Sequence, residues 1–265
     1  MTAEPTIPDP PASGAEVNME TSGGVMTVTI NRPYARNAMT RAAAEACAAA
    51  MDELDVRDDL VVGVITGGGG TFCAGMDLKA FLRGERSAIP GRGFAGITQR
   101  PPAKPLIAAV EGHALAGGCE LALACDLVAA GRSAKFGIPE VKRGLVAAAG
   151  GLLRLPERIP RNIAMELALT GDHLDAERAE RLGLVNALVD DGEALAAAHD
   201  LAARIAANGP LAVGATKRLL RVSSDWSAES WERQAAIVEP VFLSEDAKEG
   251  ARAFAERRAP RWQAR

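Results

Sequence analysis

Short β-branched apolar runs dominate the first half of the chain, and apolar positions at helical spacing dominate the second. Val25-Met26-Thr27-Val28-Thr29-Ile30 alternates and stops at Asn31-Arg32-Pro33, because proline cannot donate into a sheet ladder; this predicts a strand and a turn. Residues 60–66 and 106–110 are brief apolar runs that predict buried strands. Thr40 is placed to cap an alanine-rich helix running through Leu54, and Asp77 to cap a helical pattern over residues 77–82. Residues 112–117 read as a turn and 118–125 as a buried helix. From about residue 152 the pattern is helical, over 161–170, 175–182, 192–207, 210–222, 228–238 and 244–257, with breaks at Gly183, Gly209 and Pro210. Strands with crossovers first and helices last predict an α/β fold. Its core spans residues 15–190, followed by a helical portion over 191–265 whose apolar faces need the core or another subunit to cover them. Residues 1–14 are proline-rich and aperiodic, which predicts a flexible tail. No fixed-period repeat is visible.

Composition narrows the class. Hydrophobic residues make up 48% of the 265 positions and charged residues 24%, with a mean hydropathy of +0.02; collagenous, disordered and membrane chains look different. A net charge of −4 leaves no global positive field to gather nucleic acid or anionic lipid, although a local basic patch for a phosphorylated ligand is compatible with it. Cys47, Cys73, Cys119 and Cys125 are not in C-x-x-C spacing, so they are read as reduced thiols and no metal site is expected. The N-terminus carries acids and prolines where a signal peptide has a basic and then an apolar stretch, which predicts a cytoplasmic address. Residues 105–130 are long enough to test as a membrane span, but Glu111, His113, Glu120, Asp126 and three glycines reject it.

Chemistry concentrates at two glycine-rich junctions, residues 66–77 and 111–120. Each is predicted to place free backbone N–H groups at a helix start, where the helix dipole favours a phosphate or a developing oxyanion. Neither has the G-K-[ST] ending of a nucleotide loop or G-x-G-x-x-G. Glu120 stands in Cys119-Glu-Leu-Ala-Leu-Ala-Cys125, where an unpaired carboxylate costs several kcal/mol or neutralises itself. It is therefore either half of a structural ion pair or an acid/base group. Glu140, twenty residues downstream in Phe136-Gly-Ile-Pro-Glu140, is able to meet it across one site, and two carboxyls divide the work of acid and base. His113, His173 and His199 lie in no metal spacing, and His199 is expected on a solvated helix face. Ser133 lacks a nucleophile elbow and Cys119 lacks an identifiable His or Asn partner.

From about residue 17 to 265 the chain resembles the crotonase, or enoyl-CoA hydratase/isomerase, superfamily. The resemblance rests on Ile30-Asn-Arg-Pro33 with Asn37-Ala38, Phe72-Cys-Ala-Gly-Met-Asp-Leu-Lys79, Lys104-Pro-Leu-Ile-Ala-Ala-Val110, Ala116-Gly-Gly-Cys-Glu120, Ala134-Lys-Phe-Gly-Ile-Pro-Glu140, Leu169-Thr-Gly171, Gly183-Leu-Val185 and Ala253-Phe-Ala-Glu-Arg-Arg258, in that order. It implies a spiral core of repeated ββα units with C-terminal helices that build homotrimers, often paired into hexamers. The backbone amides of Met76 and Gly117 would form an oxyanion hole for an acyl-thioester carbonyl. Glu120 and Glu140 fall on the two catalytic glutamates of hydratases, implying reversible syn addition of water to a 2-trans-enoyl-CoA. CoA contacts are implied at Ala35, Arg36, Ala74, Asp77, Leu78 and Lys79, and, from a neighbouring subunit, at Phe254 and Arg257. Coenzyme A arrives as part of the substrate and no metal or redox cofactor is implied; nor is a nucleic acid or a membrane a partner.

One departure stands out. Where the family usually has a Pro-Gly pair after the second glutamate, this chain has Ala147-Ala148. Each alanine adds a Cβ and narrows the backbone near the water or acyl group. That opens dehydration of a polar 3-hydroxyacyl-CoA, or hydration of a bulky acyl group, beside hydration of straight chains. Double-bond isomerisation, carnitinyl-CoA-type dehydration and non-catalytic acyl-CoA binding are the competing readings. RNA binding ranks last, since the helix over 40–54 has Arg41 as its only base.

Overall fold

The computed structural model describes residues 14–222, 236, 239–256 and 258–265. Val17–Ser22 (β1) and Val25–Ile30 (β2) form an antiparallel hairpin across Gly23-Gly24. Thr40 caps Arg41–Val56 (α1), its hydroxyl accepting from the Ala43 amide at 3.1 Å, and the chain returns as Val62–Gly67 (β3) parallel to β2. Asp77 caps the short Leu78–Leu82 (α2) by accepting from the Ala80 amide, and Ala88–Ile89 (β4) pairs with Gly93–Phe94 (β5). Then come Leu106–Val110 (β6), His113–Leu115 (β7), Gly117–Ala124 (α3), Leu127–Gly131 (β8) and Lys135–Gly137 (β9). Gly151–Arg158 (α4), Arg161–Thr170 (α5), Leu174–Asp175 (β10), Ala176–Arg181 (α6) and Ala187–Val189 (β11) follow. Ala194–Ala206 (α7), Pro210–Val222 (α8) and Glu245–Glu256 (α9) complete the described elements.

The main sheet runs β1-β2-β3-β6-β8-β11, parallel from β2 onward. A second ladder stacks beside it, in which Cys73 bridges Ala114, Ala114 pairs with Phe136, and Phe136 pairs with Leu174. Successive turns of the chain thus give one strand to each ladder, which is the spiral of ββα units that the resemblance implies. Parallel strands need a crossover and become buried on both faces, so their runs are apolar without interruption. On β6, Leu106, Ala108 and Val110 face the main core, while Ile107 and Ala109 face a second layer with Val62, Val64, Ala198 and Ala202. That second layer is closed by α7, whose alanines allow the helix to lie close on the sheet.

Two sequence expectations change. The glycines of residues 112–117 predict a turn, yet His113–Leu115 is a strand, because Cys73 on one side and Phe136 on the other offer backbone partners that local composition does not reveal. His199, expected on a solvated face, is half-buried, with Nε2 3.2 Å from the Thr27 hydroxyl of β2. The expected tail over residues 1–14, apart from Gly14, and the expected helix over 228–238, apart from Ala236, lie outside the described residues. Leu54 is fully buried, and its side chain fills the space over Gly63, where a Cβ would come within 2.8 Å of it. Leu54→Ala is expected to cost about 2–5 kcal/mol in urea unfolding, since lost transfer energy and an unfilled cavity add.

Candidate active site

All eight residues of α3 are buried, Glu120 among them at 3% exposure. Its Oε1 accepts from the amides of Ala149 at 2.7 Å and Gly151 at 2.9 Å. Gly151 is the first residue of α4, where free N–H groups and the helix dipole both favour an anion, and Ala149 lies in the loop just before it. Gly151 is required by the close approach, because a Cβ there would sit 2.8 Å from Glu120 Cγ. Among the described residues no Lys or Arg ion-pairs with Glu120, so the ion-pair alternative raised by the sequence does not hold. Burial pushes its carboxyl above the usual range; the two amides and Arg154 pull it back, and Glu140 adds to the rise.

Glu140 sits in the 3-10 turn Pro139–Arg143 that directly follows β9. Its Oε2 is shielded from solvent and has no hydrogen-bond partner, and burial raises this carboxyl too, against the nearby Arg143. The two glutamates lie within each other's electrostatic field and both act on Cys119. One carboxyl is held by two amides and the other has a free oxygen, an asymmetry suited to distinct acid and base roles. A carboxyl raised in the folded state binds its proton more tightly there than in the unfolded chain, so its ionisation costs stability. That cost grows as pH climbs from the ordinary carboxylate range through the raised value. Glu140→Gln is therefore expected to melt above the wild type at pH 8, with the gap closing at pH 4, as thermal unfolding at the two pH values will show.

The two glycine-rich junctions meet on adjacent turns of the spiral. Met39 bonds the Gly75 carbonyl at 2.8 Å and the Asp77 amide at 3.1 Å, so strand alternation turns the intervening Met76 N–H to the other side. The Ala116 amide bonds Gly137 and the Ala116 carbonyl takes the Glu120 amide, leaving Gly117 as the first residue of α3. Its N–H is one of the donors that a helix start leaves without an intrahelical acceptor. Ala116 itself adopts φ 51°, ψ −128°, a strained conformation for a residue with a Cβ. Gly75 is pressed so close that a Cβ on it would lie 2.9 Å from Ala116 Cβ and 3.2 Å from Gly117 N. The loop that carries Met76 is thus packed against the start of α3 through Gly75, and Phe94 packs its ring against Gly117.

Most of the residues implied for CoA converge on the same edge. The Arg36 carbonyl accepts from the Ala74 amide, linking the Ala35-Arg36 turn to the Met76 loop. Asp77 is engaged by Arg32, whose Nη2 donates at 3.0 Å, as well as by the Ala80 amide. Leu78 and Lys79 are exposed. Arg257 and the side chain of Phe254 lie outside the described residues. A separate cavity of about 1020 Å³ opens between the end of α3 and helices α4, α7 and α8, and neither glutamate lines it. Among the described residues no group of three or more His, Cys, Asp or Glu side chains is placed to hold a metal ion, and no helix is long and apolar enough to cross a membrane.

Sequence reasoning gives no role to two residues. Asn37 is fully buried; it accepts from the Arg32 amide and donates to the carbonyls of Gly68 and Thr71, tying the Ala35-Arg36 turn to the first glycine loop. Only its place in the Asn37-Ala38 anchor marks it. Arg154 carries no motif and emerges only in three dimensions.

The family model described as Enoyl-CoA hydratase/isomerase matches residues 20–265. A crystal structure of enoyl-CoA hydratase EchA1 from Mycobacterium marinum is 61% identical and superposes with a TM-score of 0.93, covering 95% of this chain and 100% of that one. Enoyl-CoA hydratase EchA19 of Mycobacterium tuberculosis is 44% identical over 261 residues, 96% of this chain and 98% of the relative. A carnitinyl-CoA dehydratase of Salmonella typhi is 41% identical, over 94% of this chain and 98% of its own.

Proposed function

The chain belongs to the enoyl-CoA hydratase/isomerase family, and from that premise we propose that it is an enoyl-CoA hydratase, adding water reversibly and syn across a 2-trans-enoyl-CoA. The observation that carries the reading is a pair of unlike carboxyls, Glu120 buried and held by two amides and Glu140 half-buried with a shielded, unpartnered oxygen. The thioester carbonyl accepts from Met76 and Gly117 N–H, which stabilise the enolate that forms when oxygen reaches the β-carbon. Glu120, ionised, orients the water and takes its proton; Glu140, protonated, delivers a proton to the α-carbon. Dehydration runs the same steps backwards. The Ala35-Arg36 turn and the residues Ala74, Asp77, Leu78 and Lys79 border the CoA moiety, where exposed Lys79 is able to meet a phosphate. Phe254 and Arg257 of a neighbouring subunit complete this edge in a homotrimer or hexamer, which sedimentation of the purified protein tests.

The experiment is turnover of short, long and branched enoyl-CoA esters, read as loss of the conjugated thioester and gain of solvent oxygen. Failure of every ester to gain water sinks the hydratase reading. A second reading is dehydration of a polar 3-hydroxyacyl-CoA, favoured by Ala147-Ala148 and by similarity to the carnitinyl-CoA dehydratase. Ala147 is half-buried against the core beside the loop that holds Glu120. Carnitinyl-CoA belongs in the same panel, and a kcat/KM preference for it over every enoyl ester selects this reading.

A further inference from the structure

Arg154 lies on α4 within one turn of Gly151, half-buried, and ion-pairs with no carboxylate among the described residues. Its hydrogen bonds go to two loop carbonyls instead: Nη1 to Ala149 at 3.4 Å and Nη2 to Thr98 at 2.5 Å. The guanidinium is packed on the loop that feeds Glu120, since a Cβ on Gly150 would come within 2.3 Å of Nη1. The Thr98 amide in turn bonds the Phe94 carbonyl, and the Phe94 ring abuts Gly117. One planar cation therefore joins the segment that supplies Glu120 with its amide donors to the segment that backs the Gly117 amide. A guanidinium suits this because its fork reaches two acceptors in fixed geometry, which an ammonium cannot copy.

Building on the two-carboxylate reading, we propose that Arg154 is a positioning residue for Glu120: it fixes the Ala149 segment that holds the carboxylate and sets an unpaired positive charge against it. The charged groups acting on Glu120 are Glu140 and Arg154, with opposite sign. Arg154 itself feels Glu120 from α3, Glu157 and Arg158 from its own helix, and Arg221 from α8. Removing the cation leaves burial and Glu140 less opposed, so Glu120 holds its proton to higher pH.

The test compares wild type with Arg154→Met and Arg154→Lys in the full chain. For Arg154→Met we expect kcat for hydration to fall roughly 10²-fold, as for other small misplacements of a reacting group. KM should be nearly unchanged, with the acidic limb of the kcat profile displaced to higher pH. Arg154→Lys, which keeps the charge but not the fork, should return the limb toward its wild-type position while leaving most of the kcat loss. If Arg154→Met instead loses activity only in proportion to its folded fraction, with the acidic limb unmoved, the residue is structural and the proposal is overturned. Should the Met variant not fold, Arg154→Lys decides the matter, since wild-type kcat in that variant overturns the need for the fork. Carboxyl NMR titration of Glu120, assigned with Glu120→Gln, reads the effect without turnover. An upward move in Arg154→Met in a protein that hydrates nothing supports the positioning role and sinks the hydratase reading. An unmoved titration beside normal wild-type hydration sinks the positioning role alone.

Discussion

Replacing either Glu120 or Glu140 by Gln is expected to lower kcat for enoyl-CoA hydration by roughly 10²–10⁴, the usual worth of a positioned acid or base. KM should change little, because neither side chain is placed to hold the CoA moiety. Each substitution preserves shape and removes only the ability to carry or release a proton. In Glu120→Gln the new amide oxygen would still accept from the Ala149 and Gly151 N–H groups, so the loop that holds it should stay in place. The double variant should lose far less than the product of the two single losses, since residues acting on one transition state form a unit. Steady-state rates of the three variants on the best ester of the panel make the comparison. Rates within a few-fold of wild type would mean that the two carboxyls are structural and that the protein binds acyl-CoA without using them to turn it over.

The second large effect is expected at Gly75. Its φ of +98° strains any residue with a Cβ, and the Cβ of Gly75→Ala would press on Ala116 and on the Gly117 nitrogen at 3.2 Å. The two amide-bearing loops must part by a few tenths of an ångström or more, and an oxyanion hole tolerates little displacement of its donors. Loss of one donor costs roughly 10²–10³ in rate, and Gly75→Ala should approach that. It should also weaken binding of an enolate-like inhibitor much more than binding of a saturated acyl-CoA. Equal losses for both ligands would indicate damage to the CoA edge instead, and no loss of rate would remove Met76 and Gly117 from the chemistry. Circular dichroism and the melting temperature, recorded alongside, show whether the variant remains folded.

The two effects differ in how visible they are in the sequence. Glu120 announces itself because a carboxylate among Cys, Leu and Ala has to be explained, and the glycine loops because helix starts preceded by glycine expose backbone donors. What the sequence leaves open is whether Glu120 is paired with a cation. Ala149 and Gly151, 29 and 31 residues away, answer it with backbone amides that no side-chain pattern encodes. Arg154 is less visible still, as one base on a short helix, and its reach to Thr98 spans 56 residues.

Local chemistry determines much of this protein on its own. Apolar β-branched runs make strands, Thr40 and Asp77 start helices, alanine-rich stretches make helices slim enough to lie on a sheet, and Glu120 is out of place in its segment. These follow from interactions within a few residues, whose energies do not depend on the rest of the fold. Only the tertiary structure decides that His113–Leu115 is a strand, that His199 reaches Thr27, and that Gly75 is pressed against Ala116 and Gly117. Each of these depends on which turn of the spiral lies next to which. That neighbour relation is set by hydrogen-bond partners and packing volumes contributed from dozens of residues away, with no repeat in the sequence to betray it.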